Sequence, residues 1–296
     1  MALAPLKILG APMLILVGSG LRESQLTREA EEAIKGADIV IVETYTMPSS
    51  KWLPTAIRKL NSNVREASRS ELEEQSSNIV ELASKLKVVI VVPGDPLIAT
   101  THSSLVVESL KRGVEAKVVS GISGPCSVES LLGLHFYKFG RTVTVPGPWR
   151  GVGAEEAALG LLGNLCHDLH TLLLLDVSPE GLSLSPSRAV KELKESLRRL
   201  IGARLDELMN IMVLLVSVGE NIVVKHSTLD SADSIPDLDV GSLVVPSKLH
   251  VSEREFLRYA YSVPEDVMIS HNRLLQGFDA CSAYTEALRA IYSSIA

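Results

Sequence analysis

The chain has 296 residues, enough for two domains, and it is 46% hydrophobic but only 4% aromatic, so its core must be aliphatic, as in parallel sheets covered by helices. A formal net charge of −6 leaves no basic footprint for a nucleic-acid partner. No apolar run reaches the roughly 20 residues of a membrane span. Met1–Pro12 lacks the basic region of a secretory signal and reads as a short leader, with Met13 as an alternative start. Strands are predicted at Met13–Val17, Asp38–Glu43, Lys87–Val92 and Val114–Ser120. Helices alternate with them: one over "TREAEEAIKG" with Thr27 as cap and Gly36 as stop, one over Glu71–Leu86, and one over "HSSLVVESLKRG". Such alternation predicts parallel pairing with right-handed crossovers and a ligand beyond the carboxyl ends of the strands.

The second half has a different rhythm. A helix starts at Ser185–Pro186, but the strands "TLLLLDV", "IMVLLVSV", "NIVVKH" and "GSLVVP" lie close together, and the link Gly219–Glu220–Asn221 predicts a hairpin. These features predict an N-terminal α/β domain over 13–120 and a C-terminal domain with a mixed sheet over 121–296. The Gly- and Pro-rich "FGRTVTVPGPWRGVG" reads as a boundary or inter-domain loop. After Tyr261 a helical tail with a stripe of Ala, Leu and Ile is expected to pack on the body or on a partner subunit.

Glycine-bearing turns follow several predicted strands. "LVGSGL" permits close approach of a ligand to the backbone, and Glu43 ends the next strand as a ribose-binding acid would. However, Glu23 stands where a dinucleotide fingerprint needs its third glycine, and would repel pyrophosphate. "PGDPLIATTH" ends the third strand. There Asp95 either points into the crevice or closes an Asx-turn, and Thr100 or Thr101 is a candidate cap for the next helix. His102 is a candidate base or simply polar surface. "VSGISGPCSVESL" brings more bare backbone to the same edge, without a Walker lysine. In "LCHDLH", His167, Asp168 and His170 lack the further ligands of a zinc site and read as the surface of a helix end. His250 either lines a cleft or is solvated. The cysteines Cys126, Cys166 and Cys281 match no metal ribbon or CxxC pair and read as reduced, intracellular thiols.

"LILVGSGL", "GDPLIATTH", "LHFYKFGRTVTVP", "LHTLLLLDV" and "SLVVPSKLH" occur in an order that resembles the diphthine synthases, a branch of the tetrapyrrole (corrin/porphyrin) methylase superfamily. The resemblance runs from Met13 to Tyr259. It implies a two-domain tetrapyrrole-methylase-like α/β fold with a cofactor cleft between a mostly parallel and a mixed sheet. It implies S-adenosylmethionine as methyl donor and no metal. The implied substrate is the 3-amino-3-carboxypropyl-histidine of translation elongation factor 2, methylated on its amino group in diphthamide biosynthesis. A chain without long insertions resembles the archaeal type, which stops at three methyls, and a cytoplasmic homodimer is implied. Carried over motif by motif, the cofactor contacts are Leu21, Asp95, Ile98, Ser123, Gly124, Leu175, Val218 and His250. Two alternatives remain at this level: a methyltransferase of a precorrin or sirohaem precursor, and a non-catalytic S-adenosylmethionine-binding module.

Overall fold

A computed structural model describes residues 11–47, 50–219, 221–234 and 241–295. The described residues divide into two compact units. The first ends at Gly124 and takes in Pro179–Gly181; the second holds Pro125–Ser178 and the described residues from Leu182 on.

The first unit runs β1 (Met13–Gly18), α1 (Arg28–Lys35), β2 (Ile39–Glu43), α2 (Leu53–Leu60), β3 (Val64–Ala67), α3 (Ser76–Ala83), β4 (Lys87–Val92), α4 (Ser103–Lys111) and β5 (Ala116–Val119). The strands form one sheet in the order β3-β2-β4-β1-β5, every pairing parallel. The strand sequences explain why. Leu14, Leu16, Ile41, Val88 and Ile90 enter one core, while Ile15, Val17, Val40, Val42 and Val89 enter another, so both faces are covered. The Thr27 hydroxyl accepts from the Ala30 amide at 3.1 Å and starts α1, and Gly36 comes directly after its last residue. The helix predicted over Glu71–Leu86 is interrupted. A π-helical turn at Ser70–Glu74 precedes α3, closed by the Gln75 amide on the Ser70 carbonyl at 2.9 Å. The edge strand β3, with Arg65 and Glu66 at its centre, has no apolar run by which to be seen in the sequence.

α5 (Gly124–Leu131) runs across the division between the units. The second unit continues with β6 (Val143–Val145), α6 (Glu155–Cys166), β7 (Thr171–Leu175), α7 (Pro186–Ile201), α8 (Leu205–Leu208), β8 (Met212–Ser217), β9 (Val223–Thr228), β10 (Ser242–Val245), α9 (Val251–Tyr261), α10 (Glu265–Gly277) and α11 (Ala280–Ile295). Its sheet is mixed, in the order β6-β7-β10-β8-β9, with β6–β7 parallel and the remaining pairs antiparallel. The hairpin β8–β9 forms as predicted, although Glu220 in its link lies outside the described residues, as do Met1–Gly10 of the proposed leader. Ser185 caps α7 by accepting from the Arg188 amide at 3.3 Å.

Two expectations fail here. "FGRTVTVPGPWRGVG" is not only a loop: it contains β6, whose Val143 and Val145 are buried. The Gly and Pro residues on either side hide a three-residue strand. The cysteines are not all reduced either. Cys166, at the end of α6, is bonded to Cys281, in the first turn of α11, and the exposed Cys126 takes no part. The tail thus packs on its own unit, with Ala283 and Ala287 buried in the core beside α6 and Tyr284 against Gly163.

Candidate active site at the strand ends

Because β1 lies between β4 and β5, the loops leaving their carboxyl ends are neighbours, and each carries glycine. These loops touch one another through bare backbone. The Gly20 amide donates to the Gly94 carbonyl at 3.1 Å, and the Gly94 amide returns a bond to the Gly20 carbonyl at 2.9 Å. Gly20 and Gly94 have φ of +70° and +72°, which side-chain-bearing residues rarely adopt. A Cβ on Gly18 would stand 2.5 Å from both the Gly121 nitrogen and the Gly94 oxygen. A Cβ on Gly121 would strike the Gly94 carbonyl oxygen and Gly18. The glycines expected to admit a ligand therefore first admit each other. Gly121→Ala should destabilise the protein by about 1–3 kcal/mol by forcing backbone against backbone. In contrast, Gly124→Ala should stay within about 0.5 kcal/mol, since a Cβ there meets nothing within 4 Å. Urea denaturation of the two variants tests the contrast.

Asp95 is 7% exposed and both its carboxylate oxygens are used within the chain. Oδ1 accepts from the Leu97 amide at 2.9 Å, the Asx-turn, and Oδ2 accepts from the Gly121 amide at 3.1 Å, joining the β4 and β5 loops. Beyond it the loop presents apolar side chains: Leu97 and Ile98 are 42% and 41% exposed, and Ile122 of the β5 loop is exposed too. Ala99, next along, holds φ at +58°, a strained value for a residue with a Cβ. Neither threonine caps α4. Thr100 Oγ1 donates to the Pro96 carbonyl at 2.5 Å, Thr101 Oγ1 donates to Glu73 at 3.1 Å, and His102 takes the cap position without a side-chain cap bond. The His102 ring is 1% exposed, and burial pushes its pKa down, so it is neutral. Leu21 and Ser123 are buried at the edges of the neighbouring loops, and Gly124 opens α5. Glu43 is no ribose acid in waiting. It is fully buried and accepts from the Tyr45 amide at 2.6 Å, the Thr46 amide at 2.7 Å and the Thr46 hydroxyl, closing its own turn.

In the second unit a residue that no sequence motif singles out organises three of the quoted stretches. The fully buried Glu253 carboxylate accepts from the His135 amide at 2.8 Å, the His250 amide at 2.7 Å, Lys138 Nζ at 3.0 Å and His170 Nε2 at 3.0 Å. Lys138 also donates to the Lys248 carbonyl at 2.6 Å. "LHFYKFG", "LHT" and "SKLH" are thereby tied to a single side chain. Its only sequence signal is a Glu three residues after a helix cap, the capping box that His250 completes here. His170 is therefore buried, not helix-end surface. Its Nδ1 accepts from the Ser247 amide at 2.9 Å, which leaves Nε2 to carry the proton toward Glu253. His167 is exposed, and Asp168 Oδ1 accepts from the Lys248 amide. No group of residues suited to hold a metal occurs among the described residues.

The sheet register sorts the remaining predicted contacts. Ser242 pairs with Val216 and Leu243 with Leu173, so Leu175 and Val218 lie toward one end of the sheet. Val245 pairs with Thr171, so His250 comes off the other end. The length of β7, about 13 Å at roughly 3.3 Å per residue, separates the two ends.

The tetrapyrrole (corrin/porphyrin) methylase family model matches residues 13–209. A diphthine synthase of Aeropyrum pernix is 41% identical over 84% of this chain and 88% of its own length. The chain belongs to the diphthine synthases of the tetrapyrrole methylase family. A diphthine synthase of Archaeoglobus fulgidus is 31% identical, covering 86% of this chain and 98% of that one. Among solved structures, a conserved hypothetical protein from Aeropyrum pernix K1 superposes with a TM-score of 0.80 at 37% identity, covering 93% of this chain and 99% of that one. A crystal structure of diphthine synthase superposes with a TM-score of 0.75 at 31% identity, over 88% of this chain and 99% of that one. Membership in the diphthine synthases makes the chain a methyltransferase, and the precorrin or sirohaem alternative is carried only by the wider superfamily.

Proposed function

We propose that this diphthine synthase methylates the amino group of the 3-amino-3-carboxypropyl-histidine of elongation factor 2, three times, with S-adenosylmethionine as donor. The observation that carries the reading is the meeting of three loops at the carboxyl ends of adjacent parallel strands, in a chain of this family. The residues suit such a donor. Bare backbone and an acid-anchored turn serve a polar amino-acid part, while exposed Leu97, Ile98 and Ile122 serve a flat apolar one. Leu21, Asp95, Ile98, Ser123 and Gly124 of the first unit, and Leu175, Val218 and His250 of the second, are the proposed donor contacts. The enzyme is proposed to act as a cytoplasmic homodimer; no described helix is long and apolar enough to cross a membrane.

S-adenosylmethionine supplies a methyl group already activated on a sulfonium. The chain's task is alignment of the amine, the methyl carbon and the sulfur, which needs neither a metal nor a protein nucleophile. The amine lone pair forms the N–C bond as the C–S bond breaks. The amine must be neutral to attack, and the proton it loses in each round passes to solvent.

Methyl transfer from labelled S-adenosylmethionine to elongation factor 2 bearing the modified histidine should add up to three methyl masses to that residue. Donor binding without transfer would overturn the substrate, and absence of binding would overturn the whole reading. Asp95→Ala strands the Leu97 and Gly121 amides and should weaken donor binding about tenfold by calorimetry, the equivalent of one ordinary hydrogen-bonded anchor. Unchanged affinity would remove Asp95 from the site.

A further inference from the structure

The loop Gly94–His102 is tied to the loops of three other strands. Toward β1 it is held by the paired Gly20–Gly94 bonds, and toward β5 by Asp95 on the Gly121 amide. Toward β2 it is held by a contact that the function just proposed does not use: the Tyr45 hydroxyl lies 3.3 Å from His102 Nε2. Tyr45 lies just beyond β2, is 5% exposed, and stands with its ring tilted at 54° to that of His102. Its hydroxyl also lies 3.5 Å from Glu73 Oε1, the same oxygen that accepts from Thr101 and pairs with Arg69 Nε at 3.6 Å. The Arg69 guanidinium covers the Tyr45 ring at 5.0 Å. His102 Nδ1 is buried with no hydrogen-bond partner among the described residues.

We propose that Tyr45 and His102 form a positioning pair that fixes the far end of the donor loop, and that His102 is not the base of the reaction. A base must reach the amine or a water beside it, whereas this ring is enclosed and its Nε2 is engaged by Tyr45. What the pair does have in reach is the strained tip. Asp95 holds one end of the segment and His102 the other, and between them stand exposed Leu97 and Ile98 and Ala99 at positive φ. Ala99 keeps that conformation only while both ends are held. Release of the His102 end lets the tip relax and displaces Ile98.

This inference rests on the donor site proposed above, and its test separates the two. Wild-type protein is first titrated with S-adenosylmethionine by calorimetry, and a failure to bind refutes the donor site itself. Tyr45→Phe, which removes one hydroxyl and leaves the ring, and His102→Gln, which keeps an amide near the Nε2 position, are then compared with His102→Ala. Expected are a donor Kd raised about tenfold in Tyr45→Phe and His102→Ala, kcat at saturating donor within about threefold of wild type, and an unchanged pH–rate profile. His102→Gln should recover most of the affinity. Should His102→Ala fail to fold, Tyr45→Phe, which loses the hydroxyl and keeps the ring packing, decides alone. A fall in kcat of about a hundredfold at unchanged Kd, with loss of one limb of the pH profile, would make His102 the base. Unchanged Kd and kcat in Tyr45→Phe would overturn the pair.

Discussion

Glu253→Ala should cost about 3–5 kcal/mol of folding stability, because it takes the acceptor from the buried His170 ring and from three part-buried donors at once. Lys138, the ring of His170 and the amides of His135 and His250 all lose their acceptor, and only Lys138 keeps a second one, the Lys248 carbonyl. Glu253→Gln preserves volume but turns an NH2 toward donors, so it should recover only part of the loss. The pH dependence has a defined sign. Burial pushes the Glu253 carboxyl up, but the bonds from His170, His135 and His250 outweigh it and hold the carboxyl well below the usual range. The stability it contributes is complete above the ordinary carboxylate pKa and is lost as the pH falls below it. His271 acts earlier. Its Nδ1 accepts from the Met212 amide at 3.1 Å and its Nε2 faces the Ser247 carbonyl, so it is buried neutral, with burial pushing its pKa down from 6.5 to about 4. Between those values the unfolded chain holds more protons, so stability falls as the pH is lowered through the window. Urea midpoints measured from pH 7 to 4 should decline in the wild type and decline less in His271→Gln. A flat wild-type profile would contradict the neutral assignment.

Reduction of the Cys166–Cys281 bond should remove about 4–5 kcal/mol of stability at 25 °C in the chain-entropy description, because the bridge spans 115 residues of sequence. The bond clamps the start of α11 to the end of α6, where the apolar contacts of Ala283, Ala287 and Tyr284 already meet. Thiol titration of the unfolded, unreduced protein should find one thiol, and three after reduction. Thermal unfolding should shift downward in reductant and, by the same amount, in Cys281→Ser. Three thiols without reduction would show that the bond does not form; an unshifted midpoint would show that α11 is held by packing alone.

The parallel half of the fold was legible because its strands are uninterrupted aliphatic runs separated by capped helices, and each signal is local. β3 and β6 were not, because one is polar at its centre and the other is three residues long between prolines and glycines. The break before α3 was also hidden, since the composition of Ser70–Glu74 favours an α-helix as much as that of α3 itself.

The candidate site shows the same division. Local patterns were enough to place glycine-bearing turns after aliphatic strands, to put Asp95 in one of them, and to give the motif order of the diphthine synthases. Those are properties of neighbouring residues or of motif order. Packing of the whole first unit set β1 between β4 and β5, so that Gly18, Gly94 and Gly121 meet. Tertiary packing also brings Tyr45 to His102, gathers His135, Lys138 and His170 around Glu253, and joins Cys166 to Cys281. Each of these pairs partners from distant parts of the chain, and their spacing carries no period or propensity. Parallel pairing and helix packing bring them together only when whole elements bury their apolar faces.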